Sequence, residues 1–375
     1  MWVKILLVAF TVLILMVLGV LFYFKYKLNN VQDRQDLAAS IAALSTKYVA
    51  EDKAYGLVVA VVKQNKTFVG TYGTTHRDKH QPPNAHTLFE LASTSKLFTT
   101  CTLQLLADRE QLALDEKIQS ILEDRVRLPA SAQTTTLRHL ATHTAGFPPL
   151  PESFLAKMTE ETNPYKDLKL SDLYEYLKNC KGKLSEGHFE YSNFGMGLLG
   201  HLLELKTGIH YEQLVKQTLL KELNMNQTVV NMDSSQLSQL AQGYNEKGQP
   251  TPVWIDPVLT GAGSFLSNAT DMIQFIKANL QEDATDISKS LISTHAEQLG
   301  SGAGLGWMLP STADKLMGNK SILWHNGMAG GYASFLVIDK LNNYGLVVLS
   351  NKAVDVTDLG LRLSLLTRTQ SWKPL

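Results

Sequence analysis

From Ile5 to Phe24 the chain reads ILLVAFTVLILMVLGVLFYF, about 20 residues without a charge. An α-helix rising 1.5 Å per residue needs this length to cross a hydrocarbon core of about 30 Å, and nothing else in the sequence constrains the molecule as much. The run ends in bulky Phe22, Tyr23 and Phe24, then Lys25, Tyr26 and Lys27, with no small-x-small cleavage site and no cysteine for lipidation. An uncleaved anchor is therefore expected in place of a removed signal peptide. Lys4 and the terminal amine on one side face Lys25 and Lys27 on the other, so the positive-inside rule does not orient it. Such a run leaves the remainder to fold as a separate body. The expected division is an anchor over residues 1–28, a polar linker over 29–36 (NNVQDRQD) and one domain over 37–375.

That remainder is long enough for a substantial core, and 44% hydrophobic with 19% charged residues fits a globular protein. Lys plus Arg and Asp plus Glu are both 35, so no basic surplus exists to neutralise phosphates and nucleic acid is not expected as a partner. The two cysteines, Cys101 and Cys180, have no zinc-ligand spacing; one disulfide and two buried thiols both fit the count.

Leu37, Ile41, Leu44 and Tyr48 mark one face of a helix. Tyr55 to Lys63 and Thr67 to Tyr72 then read as a hairpin. Near the other end, Ala333 to Asp339 and Tyr344 to Ser350 read as two further strands, followed by a helix over Thr357 to Leu366. Helical patterning dominates between them, over Lys96 to Asp108, Thr136 to His143, Leu170 to Lys178, Gly195 to Lys206, Tyr211 to Glu222 and Thr270 to Leu280. The expected fold class is α/β (α+β): one antiparallel sheet built from both chain ends, flanked by the terminal helices, with a mostly helical lobe inserted.

Phe89 to Thr99 reads FELASTSKLFT, in which Ser93 and Lys96 form Ser-x-x-Lys with helical patterning from the serine onward. One helical turn brings the two side chains together, and a serine hydroxyl needs a neighbouring base. A lysine serves only where burial or nearby positive charge lowers its pKa. By itself the motif is weak, expected by chance on the order of once in such a chain. Phe189 to Gly200, FEYSNFGMGLLG, holds Tyr191 and Asn193; beside an ammonium the phenolate is favoured, and the phenol could shuttle a proton. Alone, Tyr191 reads as a core tyrosine with a satisfied hydroxyl. Trp324 to Phe335, WHNGMAGGYASF, places His325-Asn326-Gly327 on or beside an edge strand and runs into Ala333 to Asp339; glycine there lets a substrate backbone approach.

Taken in order, the three elements resemble the serine β-lactamase and penicillin-binding-protein superfamily. LRHLATHTAGF (Leu137 to Phe147), LNMNQT (Leu223 to Thr228), GAGSFLSNATDMIQF (Gly261 to Phe275) and LGW (Leu305 to Trp307) look like that family too, so the resemblance covers nearly everything from Leu37 onward. Because the middle motif is Tyr-x-Asn and not Ser-Asp-Asn, the branch it looks like is that of class C β-lactamases, D-alanyl-D-alanine carboxypeptidases and esterases. The resemblance implies Ser93 as acylated nucleophile, Lys96 as its proton partner, Tyr191 as general base and acid, and Asn193 as a contact for a substrate amide and for Lys96. It implies an oxyanion hole from the N–H groups of Ser93 and Met328, with His325, Asn326 and Gly327 lining the substrate edge. Where many members have Lys-Thr-Gly, this chain has His325-Asn326-Gly327, and a histidine of ordinary pKa near 6.5 is mostly neutral at pH 7. Efficient penicillin hydrolysis is therefore not expected.

His139 and His143 stand four apart, but Leu140 occupies the glutamate position of His-Glu-x-x-His, so no metal is expected. The family pattern makes both structural, with His143 hydrogen-bonded near the end of its helix and Gly146 as the helix stop. No organic cofactor is implied. The expected activity is acyl transfer from a small-molecule or peptide substrate, a D-alanyl peptide or a carboxylic ester, in a domain outside the cytoplasmic membrane. The alternative is a catalytically idle, membrane-anchored scaffold of the same fold.

Overall fold

The computed structural model describes residues 36–180, 188–281, 285–316 and 320–372. The anchor expected over Ile5 to Phe24 lies outside the described residues; among those described, no helix is long and apolar enough to cross a membrane.

The first helix, α1 (Leu37–Ala50), leads into the hairpin β1 (Gly56–Lys63) and β2 (Lys66–Gly73). The last three strands are β3 (Ile322–Met328), β4 (Ala333–Asp339) and β5 (Tyr344–Ser350), and the helix α9 (Thr357–Thr369) closes the described chain. They form one antiparallel five-stranded sheet in the order β2-β1-β5-β4-β3. The two ends of the chain meet at the β1–β5 ladder, where Leu57 pairs with Ser350 and Lys63 with Tyr344.

Every residue of β1, GLVVAVVK, is buried, because helices cover both faces of the sheet. Side chains alternate along a strand, so Leu57, Val59 and Val61 pack with Leu37, Ile41, Leu359 and Leu363 from α1 and α9. Val58, Ala60 and Val62 turn the other way, toward α2 (Lys96–Asp108) and α7 (Ala269–Leu280). A continuous apolar run is the signature of a strand in such a position, and each buried Val or Leu stabilises by about 1.5–3 kcal/mol. At the end of β1, buried Lys63 donates from Nζ to Thr367 O (2.5 Å) and Gln370 O (2.6 Å), carbonyls at the C-terminal end of α9.

Between β2 and β3 lies the helical lobe, with its own core around α3 (Leu137–Ala141), α4 (Leu170–Asn179) and α5 (Asn193–Thr207). Tyr211 to Glu222 is not one helix: α6 (Tyr211–Val215) gives way to a π turn over Lys216–Leu220. A further helix, α8 (Asp286–Ser293), lies where no helix is expected from the sequence. Cys101 is a buried free thiol, and Cys180 is buried as well.

Two expectations need correction. His325-Asn326-Gly327 sits on an edge strand, as expected, but it does not run into the strand Ala333 to Asp339: the edge strand is a separate one, β3, paired antiparallel to β4. Gly146 does not stop the helix that carries His139. That helix ends at Ala141, and the left-handed turn after it is taken by His143 itself (φ +58°).

Candidate active site

Ser93 sits in a 3-10 turn, Ala92–Ser95, which passes directly into α2 at Lys96. The turn is tied down from three sides. Thr94 Oγ1 and Ser334 Oγ of β4 lie 2.7 Å apart, and Ser334 Oγ donates to Leu91 O at 2.6 Å. Ser95 Oγ accepts from Phe265 N at 3.1 Å, and Thr99 Oγ1 donates to Gly261 O at 2.7 Å. The serine is thus held against β3, where Gly327 makes the approach possible: a Cβ there would sit 2.8 Å from Ser93 N and 2.3 Å from Leu91 O.

Lys96 is wholly buried, and its Nζ donates to Ser93 Oγ at 3.0 Å and to Ala262 O at 2.5 Å. Burial pushes its pKa down to about 7, with Asp256 opposing the shift. The spacing of the motif therefore supplies contact and the fold supplies the change in basicity. A lysine poised near 7 is in part a neutral amine, able to accept the proton of the hydroxyl it touches.

Tyr191 comes from the loop that starts α5. Its phenol is close enough to the Ser93 side chain to be acidified by it, and its ring centroid lies 5.1 Å from Lys96 Nζ. The expectation that a nearby ammonium favours the phenolate is overturned: burial dominates and raises the phenol to about 12, the Ser93 side chain only offsetting it. The phenol stays protonated. Ser192 fixes the loop by capping α5, accepting from Gly195 N at 2.8 Å and donating to Pro148 O at 2.7 Å. His143 Nδ1 accepts from Ser192 N at 3.1 Å, and its ring lies 4.7 Å from that of Tyr191.

Ser93, Asn193 and Met328 line one cavity. Met328 is 57% exposed at the mouth. Lys96 makes its hydrogen bonds to Ser93 and Ala262, not to Asn193 as the resemblance implied. His325 is 0% exposed and is not among the cavity-lining residues. It stands behind them, its ring 6.3 Å from that of Tyr191. Burial, with the Lys96 charge adding, lowers it to about 3, so it is neutral throughout the ordinary pH range. Its Nδ1 donates to Asn326 O at 2.6 Å, leaving a buried Nε2 without a partner among the described residues. Asn326 does not face the cavity at all: one residue along a strand reverses the side chain, and its Nδ2 donates to Thr357 Oγ1 at 2.9 Å. The substrate-edge assignment is corrected accordingly for His325 and Asn326.

Larger hollows exist, one lined by Thr75, His86 and Gln239, but neither Ser93 nor Lys96 lines them. Chemistry, and not volume, marks the site.

The Beta-lactamase family model matches residues 41–367. The chain belongs to the Beta-lactamase family. It is accordingly a serine hydrolase, with the antiparallel sheet and flanking helices of that fold. A Beta-lactamase of Pseudomonas fluorescens is 26% identical over 333 residues, covering 79% of this chain and 88% of that protein. Protein flp of Staphylococcus aureus is 27% identical, covering 79% of this chain but only 59% of its own length. Among solved structures, a Beta-Lactamase/D-Alanine Carboxypeptidase from Pseudomonas syringae superposes with a TM-score of 0.74 at 24% identity, over 89% of this chain and 98% of the other. A class C beta lactamase does so at 0.75 and 23%, over 89% and 97%.

Two acidic residues of the cavity were not singled out from the sequence, Glu90 and Asp256. Glu90 had a signal: it is the only charge in the apolar stretch from Leu88 to Ala92. Asp256 had none, because only the fold brings it near Ser93.

Proposed function

We propose that this member of the family hydrolyses an amide or ester through an acyl-enzyme on Ser93. The observation that carries the reading is the buried Lys96 amine, brought down to about 7 and 3.0 Å from Ser93 Oγ. Ser93 Oγ attacks the carbonyl carbon while its proton passes to Lys96 Nζ. As the tetrahedral intermediate collapses, the leaving nitrogen or oxygen takes a proton from the Tyr191 hydroxyl, which burial keeps protonated, and Lys96 returns a proton to Tyr191. Water then attacks the ester on Ser93 and releases the acid. A positioned proton carrier contributes typically 10²–10⁴-fold to such a step. The backbone N–H groups of Ser93 and Met328 would hold the developing oxyanion, and Asn193 the substrate amide.

The substrate is an acyl donor of the D-alanyl peptide or carboxylic ester kind. Neutral His325 offers no fixed positive charge where many relatives have lysine, which speaks against penicillins as good substrates. The apolar run Ile5 to Phe24 supports a tethered domain, and the habit of the family places such a domain outside the cytoplasmic membrane; protease treatment of intact spheroplasts should cut it, and full protection would refute that placement.

Intact-mass spectrometry after parallel incubation with a fluorescent penicillin, a D-alanyl-D-alanine peptide and a short-chain p-nitrophenyl ester tests the assignment. An adduct or turnover that vanishes in Ser93→Ala is expected; turnover that survives Ser93→Ala would put the chemistry elsewhere.

A further inference from the structure

The charge around Ser93 is unlike what a carboxylate-bearing substrate needs. Among the described residues lining the cavity there is no Lys or Arg, while two carboxyl groups, Glu90 and Asp256, are present. The cation closest to the nucleophile, Lys96, has its Nζ committed to Ser93 Oγ and Ala262 O. His325 is neutral and set back.

The two acids are also incompletely used by the protein. Asp256 Oδ1 accepts from Val258 N at 3.1 Å and from Leu259 N at 2.7 Å, and its Oδ2 accepts no hydrogen bond among the described residues. Glu90 is 1% exposed, and its one hydrogen bond is a long 3.4 Å contact from Trp254 N to Oε2. Its Oε1 has none among the described residues. Both residues line the one cavity that holds the nucleophile, so these oxygens are placed to accept from a donor that enters it.

The geometry points to a substrate that carries a protonated amine close to its scissile amide or ester, received by Asp256 with Glu90 beside it. An ammonium supplies the donors that Asp256 Oδ2 and Glu90 Oε1 lack, whereas a carboxylate at the same place would face Asp256. Amino-acyl or aminoalkyl donors are thus favoured over donors ending in a free carboxylate, which narrows the reading above to amine-bearing amides and esters and away from D-alanyl peptides with a free C-terminus. Asp256 is pushed up by burial to about 6, leaving it mostly ionised at neutral pH. Glu90 is raised to about 8, also by burial, and an arriving cation would favour its ionised form. The inference rests on Ser93 being the acylated group.

The test uses the full chain in detergent, a fluorophosphonate probe to report Ser93 reactivity, and three reversible serine ligands as competitors: meta-aminomethyl, meta-hydroxymethyl and meta-carboxy phenylboronic acid. In wild type the aminomethyl compound should protect Ser93 at a concentration about tenfold or more below that of the carboxy compound. In Asp256→Asn, which keeps the acceptor for Val258 and Leu259, that ratio should fall toward one. The ratio cancels any change in the reactivity of Ser93 itself. Labelling of Ser93 with equal or better protection by the carboxy compound, or with protection by none of the three, overturns the inference. Absence of any Ser93 labelling in wild type overturns the acyl-enzyme reading on which it stands.

Discussion

Replacing Gly327 by alanine tests whether the contact between the strand edge and the nucleophile turn organises the site. The added methyl would lie 2.3 Å from Leu91 O, 2.8 Å from Ser334 Oγ and 2.8 Å from Ser93 N, where ordinary contacts begin at 3.4 Å. Leu91 O is backbone and already accepts from Ser334 Oγ, so no flexible side-chain end can yield. Relief requires β3 and the Ser93 turn to separate by about 1 Å, a displacement that costs on the order of 10²-fold in rate when it misaligns reacting groups. Overpacking of this kind costs about 1–3 kcal/mol of stability, which leaves a protein of ordinary stability folded. The assay is the second-order rate of fluorophosphonate labelling, with urea denaturation alongside. Asn326→Ala is the control: it alters the next residue on the opposite face, loses the bond to Thr357 at a cost of about 1 kcal/mol, and should label at the wild-type rate. Gly327→Ala labelling within about twofold of wild type would refute the reasoning, since the 10²-fold loss follows from the displacement.

Three further outcomes are expected. The labelling rate should rise with pH through about 7 and then level, because the neutral form of Lys96 accepts the Ser93 proton and burial has lowered its pKa; a midpoint at pH 9 or above would mean a solvated lysine and contradict the site as described. Glu90→Gln should gain stability relative to wild type as pH rises from about 5 to 8. Folding raises the Glu90 carboxyl from 4.5 to about 8, so the folded state holds the proton more tightly and wild-type stability falls across that window, whereas glutamine has no proton to lose; parallel urea curves for the two proteins at both pH values would exclude this. Lys63→Met should cost about 1–3 kcal/mol in urea denaturation, because Thr367 O and Gln370 O lose a buried donor; an unchanged midpoint would show that water replaces it.

The strands β1, β4 and β5 and the helix α2 were legible because each signals itself locally. GLVVAVVK, ASFLVID and YGLVVLS are unbroken apolar runs bounded by turn residues, and Lys96 to Asp108 keeps helical spacing throughout. The edge position of His325-Asn326-Gly327 was legible, but β3 as a strand separate from β4 was not. Trp324-His325-Asn326-Gly327-Met328 mixes polar residues with a glycine, and its extended state comes from pairing with β4, a long-range condition that no window of sequence contains. The same limit explains Asn326: its neighbours suggested a substrate contact, but the pleat turns it toward Thr357.

By itself, the sequence determined the order of most of the long elements, the sheet assembled from both ends, and the three short segments that meet at Ser93, because periodicity and motif spacing are properties of neighbouring residues. What each ionisable group does there was decided by tertiary structure alone. Whether Lys96 is a base, Tyr191 a protonated phenol, His325 an inert ring or Glu90 and Asp256 an acidic wall depends on how much water the surrounding chain removes. Desolvation is set by side chains distant in sequence, and so a residue's name and spacing cannot carry it.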